Sequence, residues 1–122
     1  KRAGIILQGI RDGGAAYGAR DGGRIVGFAR LALPRFGSEN QYIDLAQFHV
    51  SEPYRGRGIG RELFRMACAG ARELGASKLY ISAHSARETM AAYRALGCVE
   101  AAEVNRALAE KEPCDVQLEC TL

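Results

Sequence analysis

The hydrophobic pattern opens ambiguously. Over residues 1–12 the apolar positions Ile5, Ile6, Leu7 and Ile10 suit either the end of a helix or a short strand, and Gly13-Gly14 ends the stretch. Residues 15–20 and 24–33 flank Asp21-Gly22-Gly23, a turn signal that predicts a β-hairpin. Pro34 closes the second strand, and 36–40 reads as a polar loop. YIDLAQFHV, from Tyr42 to Val50, is rich in strand formers and predicts a third strand ending at Ser51-Glu52-Pro53. The period then changes. Leu63, Met66, Ala67, Gly70 and Leu74 form a helical stripe within 59–74, and Gly75 is a natural residue to stop it. Residues 78–83 predict a short apolar strand. Ser85 and Glu88 fit the S-x-x-E capping pattern of a helix over 86–96, which Gly97 ends. A strand over 98–104, a polar stretch over 105–112 with room for one helical turn, and a last strand over 115–122 follow. That last strand alternates Val116, Leu118, Cys120 and Leu122. Strands interleaved with helices in this order predict an α/β protein with a mixed sheet.

Composition narrows the class of function. The chain has 122 residues, the size of one domain, and no internal repeat or low-complexity linker. A net charge of +3 is too mild to point to nucleic acid or a membrane surface, although 17 basic residues leave room for a local anion site. The cysteines Cys68, Cys98, Cys114 and Cys120 form no CxxC pair, and no histidine stands at zinc-ligand spacing from them. They read as reduced thiols, which fits a cytoplasmic location and predicts no metal site. No signal peptide or membrane span is legible.

The candidate chemistry lies in RGRGIG, Arg55 to Gly60, directly before the first helix. Glycines let backbone N–H groups face a ligand without obstruction. A helix N-terminus adds unsatisfied donors and the positive end of its dipole, so the two together favour a phosphate. Arg55, Arg57 and Arg61 add charge. A Walker loop is excluded, because neither Lys nor Ser/Thr follows Gly60. A dinucleotide fingerprint would need glycine at 61, where Arg61 stands. A simple connecting turn accounts for one glycine, not three at alternate positions.

RGRGIG matches the Q/R-x-x-G-x-G/A signature of the GNAT superfamily of acyl-CoA-dependent N-acyltransferases, and the chain resembles that family over most of its length. YIDLAQFHV before the motif, the helix after it, KLYISA and AAYRALGC fall in the family's order. The tail EKEPCDVQLECTL looks like a bacterial subgroup of mostly unassigned substrate. The resemblance implies a mainly antiparallel sheet flanked by helices, in one domain over 1–122. It differs at the start, where the family has a strand and one or two helices that wall the acceptor pocket. Here 1–12 reads as a remnant of that element, which implies an incomplete acceptor side or a wall lent by a partner chain.

The resemblance also implies roles. The pyrophosphate of acetyl-CoA would lie on the backbone amides of Gly56, Arg57, Gly58, Ile59, Gly60 and Arg61, with Arg55 opening the motif and also supporting the loop. The pantetheine arm would run along Phe48, His49 and Val50, where a backbone N–H polarises the thioester carbonyl. Tyr93 matches the tyrosine that protonates the CoA sulfur; an ordinary phenol, with a pKa of about 10, carries its proton at neutrality. For the base, Asp44 stands eleven positions before Arg55, as in some members, and competes with His49 and His84. Glu52 reads as a turn residue. The family's CoA-contacting asparagine falls at Ala86.

The leading expectation is direct acetyl transfer from acetyl-CoA to a primary amine, that of a small molecule. A protein N-terminus or lysine as acceptor, and a non-catalytic acyl-CoA-binding module, stay open. RNA binding through RGRG lacks interleaved aromatics. The terminal strand leaves room for a homodimer.

Overall fold

A computed structural model describes the backbone of residues 5–11 and 14–122, and side chains from residue 15 onward. The expected Gly13 turn and residues 1–4 lie outside the described residues. Among the described residues, seven strands form one sheet in the order β1-β2-β3-β4-β5-β7-β6. The strands β1 (Ile5–Arg11), β2 (Gly14–Asp21), β3 (Arg24–Phe36) and β4 (Tyr42–Val50) make an antiparallel meander. The opening segment, ambiguous in sequence, is thus a strand. After α1 (Ile59–Glu73), β5 (Lys78–Ala83) joins β4 in parallel. Strand β7 (Val116–Thr121) pairs antiparallel with both β5 and the two-residue β6 (Val99–Glu100). Helices α2 (Arg87–Ala95) and α3 (Arg106–Lys111) complete the chain.

Helices α1 and α2 lie on one face of the sheet. The Phe48 ring of β4 touches Phe64 of α1 at 5.9 Å between centroids and Tyr93 of α2 at 6.1 Å. Helix α1 buries Ile59, Leu63, Phe64, Ala67, Gly70 and Ala71 against the sheet. Full burial of Leu63 or Phe64 is worth about 2 kcal/mol each. Met66 and Leu74, which the stripe in the sequence included, are only half-buried, because Phe64 and Ala71 turn the buried face slightly around the helix.

The remaining departures from expectation have local causes. Strand β3 does not stop at Pro34 but continues to Phe36 through a register shift between Ala32 and Phe36, where proline's missing N–H costs no ladder bond. Phe36 therefore belongs to the sheet and packs on Tyr42 and Tyr80 at 5.4 and 5.1 Å between centroids. Ser85 caps nothing: the N-cap of α2 is Ala86, without a side-chain cap, and its N–H donates to His84 Nδ1 at 3.1 Å. The strand expected over 98–104 is cut to two residues because the following backbone leaves the sheet for buried side chains. Ala102 N–H donates to Glu119, Glu103 N–H to Tyr42 Oη and Asn105 N–H to Tyr80 Oη. Asn105 then caps α3 by accepting the Leu108 N–H at 3.1 Å.

Cys98 and Cys120 are buried, Cys68 is half-buried and Cys114 is exposed, all as free thiols. A water-soluble disulfide reagent should therefore modify Cys114 first, and Cys98 and Cys120 only on unfolding. Mass spectrometry of a labelling time course checks this; equal rates at Cys114 and Cys98 would contradict the packing.

Candidate active site

Strand β4 positions the site through two defects. Arg30 pairs with Gln47 while Leu31 pairs with Leu45, so Ala46 is one residue too many for β3 and forms a bulge. Ile43 and Leu45 face the core before it; Phe48 packs on Phe64 after it. The second defect is on the other edge. Parallel pairing with β5 lasts only for Tyr42, Ile43 and Asp44, opposite Lys78, Leu79 and Tyr80. Beyond Asp44 the two strands separate, and the β5-facing backbone of 45–50 lacks a strand partner among the described residues.

Two clefts open beside this gap, and Phe48 lines both. The first, about 410 Å³, lies between the glycine loop and α2 and is walled by Val50, Arg55, Gly58, Gly60, Arg61 and Leu96, among others. The second, about 440 Å³, is lined by Gln47, Ser82, His84, Tyr93, Glu112 and Asp115, among others.

The loop entering α1 is held open by its backbone. Gly56 and Gly58 have φ of 79° and 84°, the left-handed region that side chains disfavour, and a Cβ at either would meet nothing within 4 Å. Gly60 differs: its Cβ would make only ordinary contact, 3.4 Å from Val50 Cγ2. Two of the three glycines thus serve the turn, and the third leaves room on the cleft wall. Gly58 is the N-cap of α1 and offers no side-chain cap. Glu62 N–H is the first to find a carbonyl, that of Gly58, so the N–H groups of Ile59, Gly60 and Arg61 have no intrahelical acceptor. This is a donor cradle at the positive end of a 15-residue helix.

Side chains fasten the loop at both ends. Arg55 Nε donates to the Val50 carbonyl at 2.8 Å, tying the loop to the end of β4. The Arg57 guanidinium lies over the Tyr54 ring, 5.0 Å from its centroid, and Tyr54 O–H donates to Asp21 Oδ2 at 2.6 Å. The hairpin turn at Asp21 is thereby linked to the glycine loop.

Tyr93 projects from α2 into the second cleft. Burial, with the nearby Cys98, pushes its phenol up to about 12, so it holds its proton through the physiological range. Asp44 stands where the gap begins, on the wall of neither cleft. Burial raises it to about 6, against the opposing pull of Arg30 and Lys111. His49 lines neither cleft; its exposed ring packs beside Phe28 at 5.7 Å between centroids. His84 does line the second cleft, but its Nδ1 accepts from Ala86 N–H. That bond assigns the ring proton to Nε2 in the neutral form and makes His84 a donor there. Glu52 is exposed in a short 3₁₀ turn, Glu52–Tyr54.

Sequence reasoning missed Ser82, Glu112 and Asp115 in the second cleft and Ala92, Ala95 and Leu96 in the first. The α2 positions follow from the helical period once Tyr93 is placed. The others depend on the gap between β4 and β5, which no local signal announces. Among the described residues, no group of histidines, cysteines and carboxylates is arranged to hold a metal, and no helix is long and apolar enough to cross a membrane.

Comparisons with known proteins agree with this geometry. Residues 4–98 match the model of the acetyltransferase (GNAT) family. No curated protein matches the chain in sequence. Among solved structures, an IAA acetyltransferase from Bacillus cereus is similar at 19% identity, covering 97% of this chain and 99% of that one, with a TM-score of 0.73. A GNAT family acetyltransferase from Elizabethkingia anophelis with acetyl-CoA bound is similar at 16% identity, 98% and 99% coverage and a TM-score of 0.74. PaiA N-acetyltransferase from Thermoplasma acidophilum in complex with coenzyme A follows at 16% identity, 88% and 60% coverage and a TM-score of 0.66. At these identities the structural likeness speaks to the fold, and the family match, spanning most of the chain, carries the assignment: the chain belongs to the GNAT family of acetyltransferases.

Proposed function

We propose that the chain, as one domain over 1–122, transfers acetyl from acetyl-CoA directly to a primary amine of a small molecule. The observation that carries this reading is the gap between β4 and β5, which opens between an amide cradle and a tyrosine. The cradle of Gly56 to Arg61 suits a pyrophosphate in donor geometry and in charge. The Elizabethkingia and Thermoplasma structures hold acetyl-CoA and coenzyme A, which supports the same ligand here. The free edge of β4 at Phe48, His49 and Val50 would pair with an extended amide-bearing arm.

Chemically, the amine nitrogen attacks the thioester carbonyl carbon, the C–S bond breaks, one proton leaves nitrogen and one ends on sulfur. A backbone N–H of the β4 edge stabilises the oxyanion. Tyr93 O–H donates to sulfur as charge develops there, and its phenolate regains a proton from solvent, to which the base releases the one it takes from nitrogen. Asp44 is the candidate base, acting through water because it lines neither cleft; its raised value near 6 leaves it ionised at neutrality yet more basic than an ordinary aspartate.

Free-thiol release from acetyl-CoA with a panel of primary amines tests the reading; acetyl-CoA binding without release from any amine would instead make the chain a binding module. The same assay tests Asp44. A carboxylate acts as base only when ionised, so the ratio of wild-type to Asp44→Asn rates should be near one below pH 5 and rise through about 6 to roughly 100-fold. Taking the ratio cancels the acceptor's own ionisation. A ratio independent of pH would remove Asp44 as the base. Stability should run the other way: because the folded value is raised, Asp44 favours the folded state below its unfolded value and loses that contribution as pH rises through about 6.

A further inference from the structure

The three arginines in and beside the glycine loop read alike in sequence, but the structure separates them. Arg55 and Arg61 wall the first cleft; Arg57, between Gly56 and Gly58, does not. Its guanidinium instead lies over the Tyr54 ring, 5.0 Å from the centroid. Tyr54 is itself anchored twice. Its O–H donates to Asp21 Oδ2 at 2.6 Å, and its half-buried ring packs against the core. Asp21 as acceptor holds the Tyr54 phenol above its ordinary value, so the proton that makes the bond is kept at neutrality. Asp21 ends β2 in register with Arg24 of β3, so the anchor is the sheet itself.

The middle of the loop has little else to hold it. Gly56 and Gly58 carry no side chain, and the N–H groups of Gly56, Arg57 and Gly58 have no backbone acceptor among the described residues. Glycine-rich backbone has the most freedom to lose on being ordered. A donor meeting a loose loop would lose part of its binding free energy to ordering it; a loop ordered in advance avoids that loss. Arg57 bears the one side chain in this stretch, and the Tyr54 ring is its support. We propose that Asp21 and Tyr54 are positioning residues for the acyl-CoA donor: through the Arg57 guanidinium they hold the glycine loop in its open form, so that Arg57 offers the pyrophosphate its amide while its side chain serves as a tether. This deepens the acetyl-transfer reading and rests on its placement of the donor.

The test is calorimetry with acetyl-CoA on wild type, Tyr54→Phe, Asp21→Ala, Asp21→Asn and the Tyr54→Phe/Asp21→Ala double variant, each checked for folding by its melting transition. Tyr54→Phe and Asp21→Ala should each weaken binding about fivefold, the size of one hydrogen bond. The double variant should be no weaker than either, because both changes break the same bond. Asp21→Asn keeps an acceptor and should stay within about twofold of wild type. Global stability does not enter an affinity measured on folded protein, so a merely structural bond would leave these affinities unmoved. Trypsin supplies a readout without donor. Cleavage after Arg57 needs its guanidinium free of Tyr54, and should be roughly threefold or more faster in the two single variants. Unchanged affinity in both single variants, losses that multiply in the double variant, or wild-type rates of cleavage after Arg57 overturn the proposal. A wild type that binds no acetyl-CoA would sink the donor reading itself, whereas wild-type binding that the variants leave unchanged sinks this proposal alone.

Discussion

Replacing Tyr93 with phenylalanine is expected to lower turnover by roughly 100-fold or more, the usual contribution of a positioned proton donor. The ring remains, so its contact with Phe48 and the shape of both clefts should survive. Acetyl-CoA affinity should accordingly stay within about twofold, since no charged contact is lost. A fall in turnover with unchanged affinity marks an interaction made only as the bond breaks. The pH profile supplies a second readout. With Tyr93 held up at about 12 by burial, wild type should show no loss of activity from its ionisation below pH 11. Unchanged turnover in Tyr93→Phe would assign the proton on sulfur to another donor, such as His84 Nε2 in the same cleft.

Gly58→Asp is expected to have the other large effect, at the opposite end of the donor. Its φ of 84° costs a side-chain-bearing residue about 1–2 kcal/mol. The new carboxylate would also cap the N–H groups of Gly60 and Arg61 and set a negative charge where the pyrophosphate is proposed to lie. Lost charge-assisted bonds and added repulsion together predict at least a 100-fold loss of acetyl-CoA affinity in calorimetry. Gly58→Ala separates the causes. It carries the backbone strain without the charge, so it should lose less affinity and some stability. Equal losses in the two variants would mean that loop conformation alone matters.

Much of this was legible because the informative signals are local. The Asp21-Gly22-Gly23 turn, the change of period at Ile59 and the stop at Gly75 each act within a few residues, and the elements they delimit are present. RGRGIG announced the cradle for the same reason: a left-handed N-cap followed by a helix is local chemistry. The unreadable parts depend on distant partners. Residues 102–104 have the composition of a strand, yet the backbone leaves the sheet after Ala101 because Glu119, Tyr42 and Tyr80 offer buried acceptors. Ser85 and Glu88 have capping chemistry, but the helix starts one residue too late for the pair, with Ala86 at its N-cap and no side-chain cap. The bulge at Ala46 is set by pairing with β3, and it decides which way Phe48 and His49 point. His49 was therefore a reasonable candidate base on residue type and an unsuitable one by direction. Glu112 and Asp115 reach the cleft only because β7 lies next to β5.

The three-residue seam between β4 and β5 has a consequence for hydrogen exchange. It is the only strand ladder between the meander β1–β4 and the unit β5-β7-β6 among the described residues. Amides of 45–50 that face the gap are therefore native strand amides without a strand acceptor, and should exchange on a loop's timescale while their β3-facing neighbours stay protected. A ligand that lies along that edge would slow them and no others in β4. The strand thus carries its own footprinting assay, with every second amide as probe and its neighbour as control.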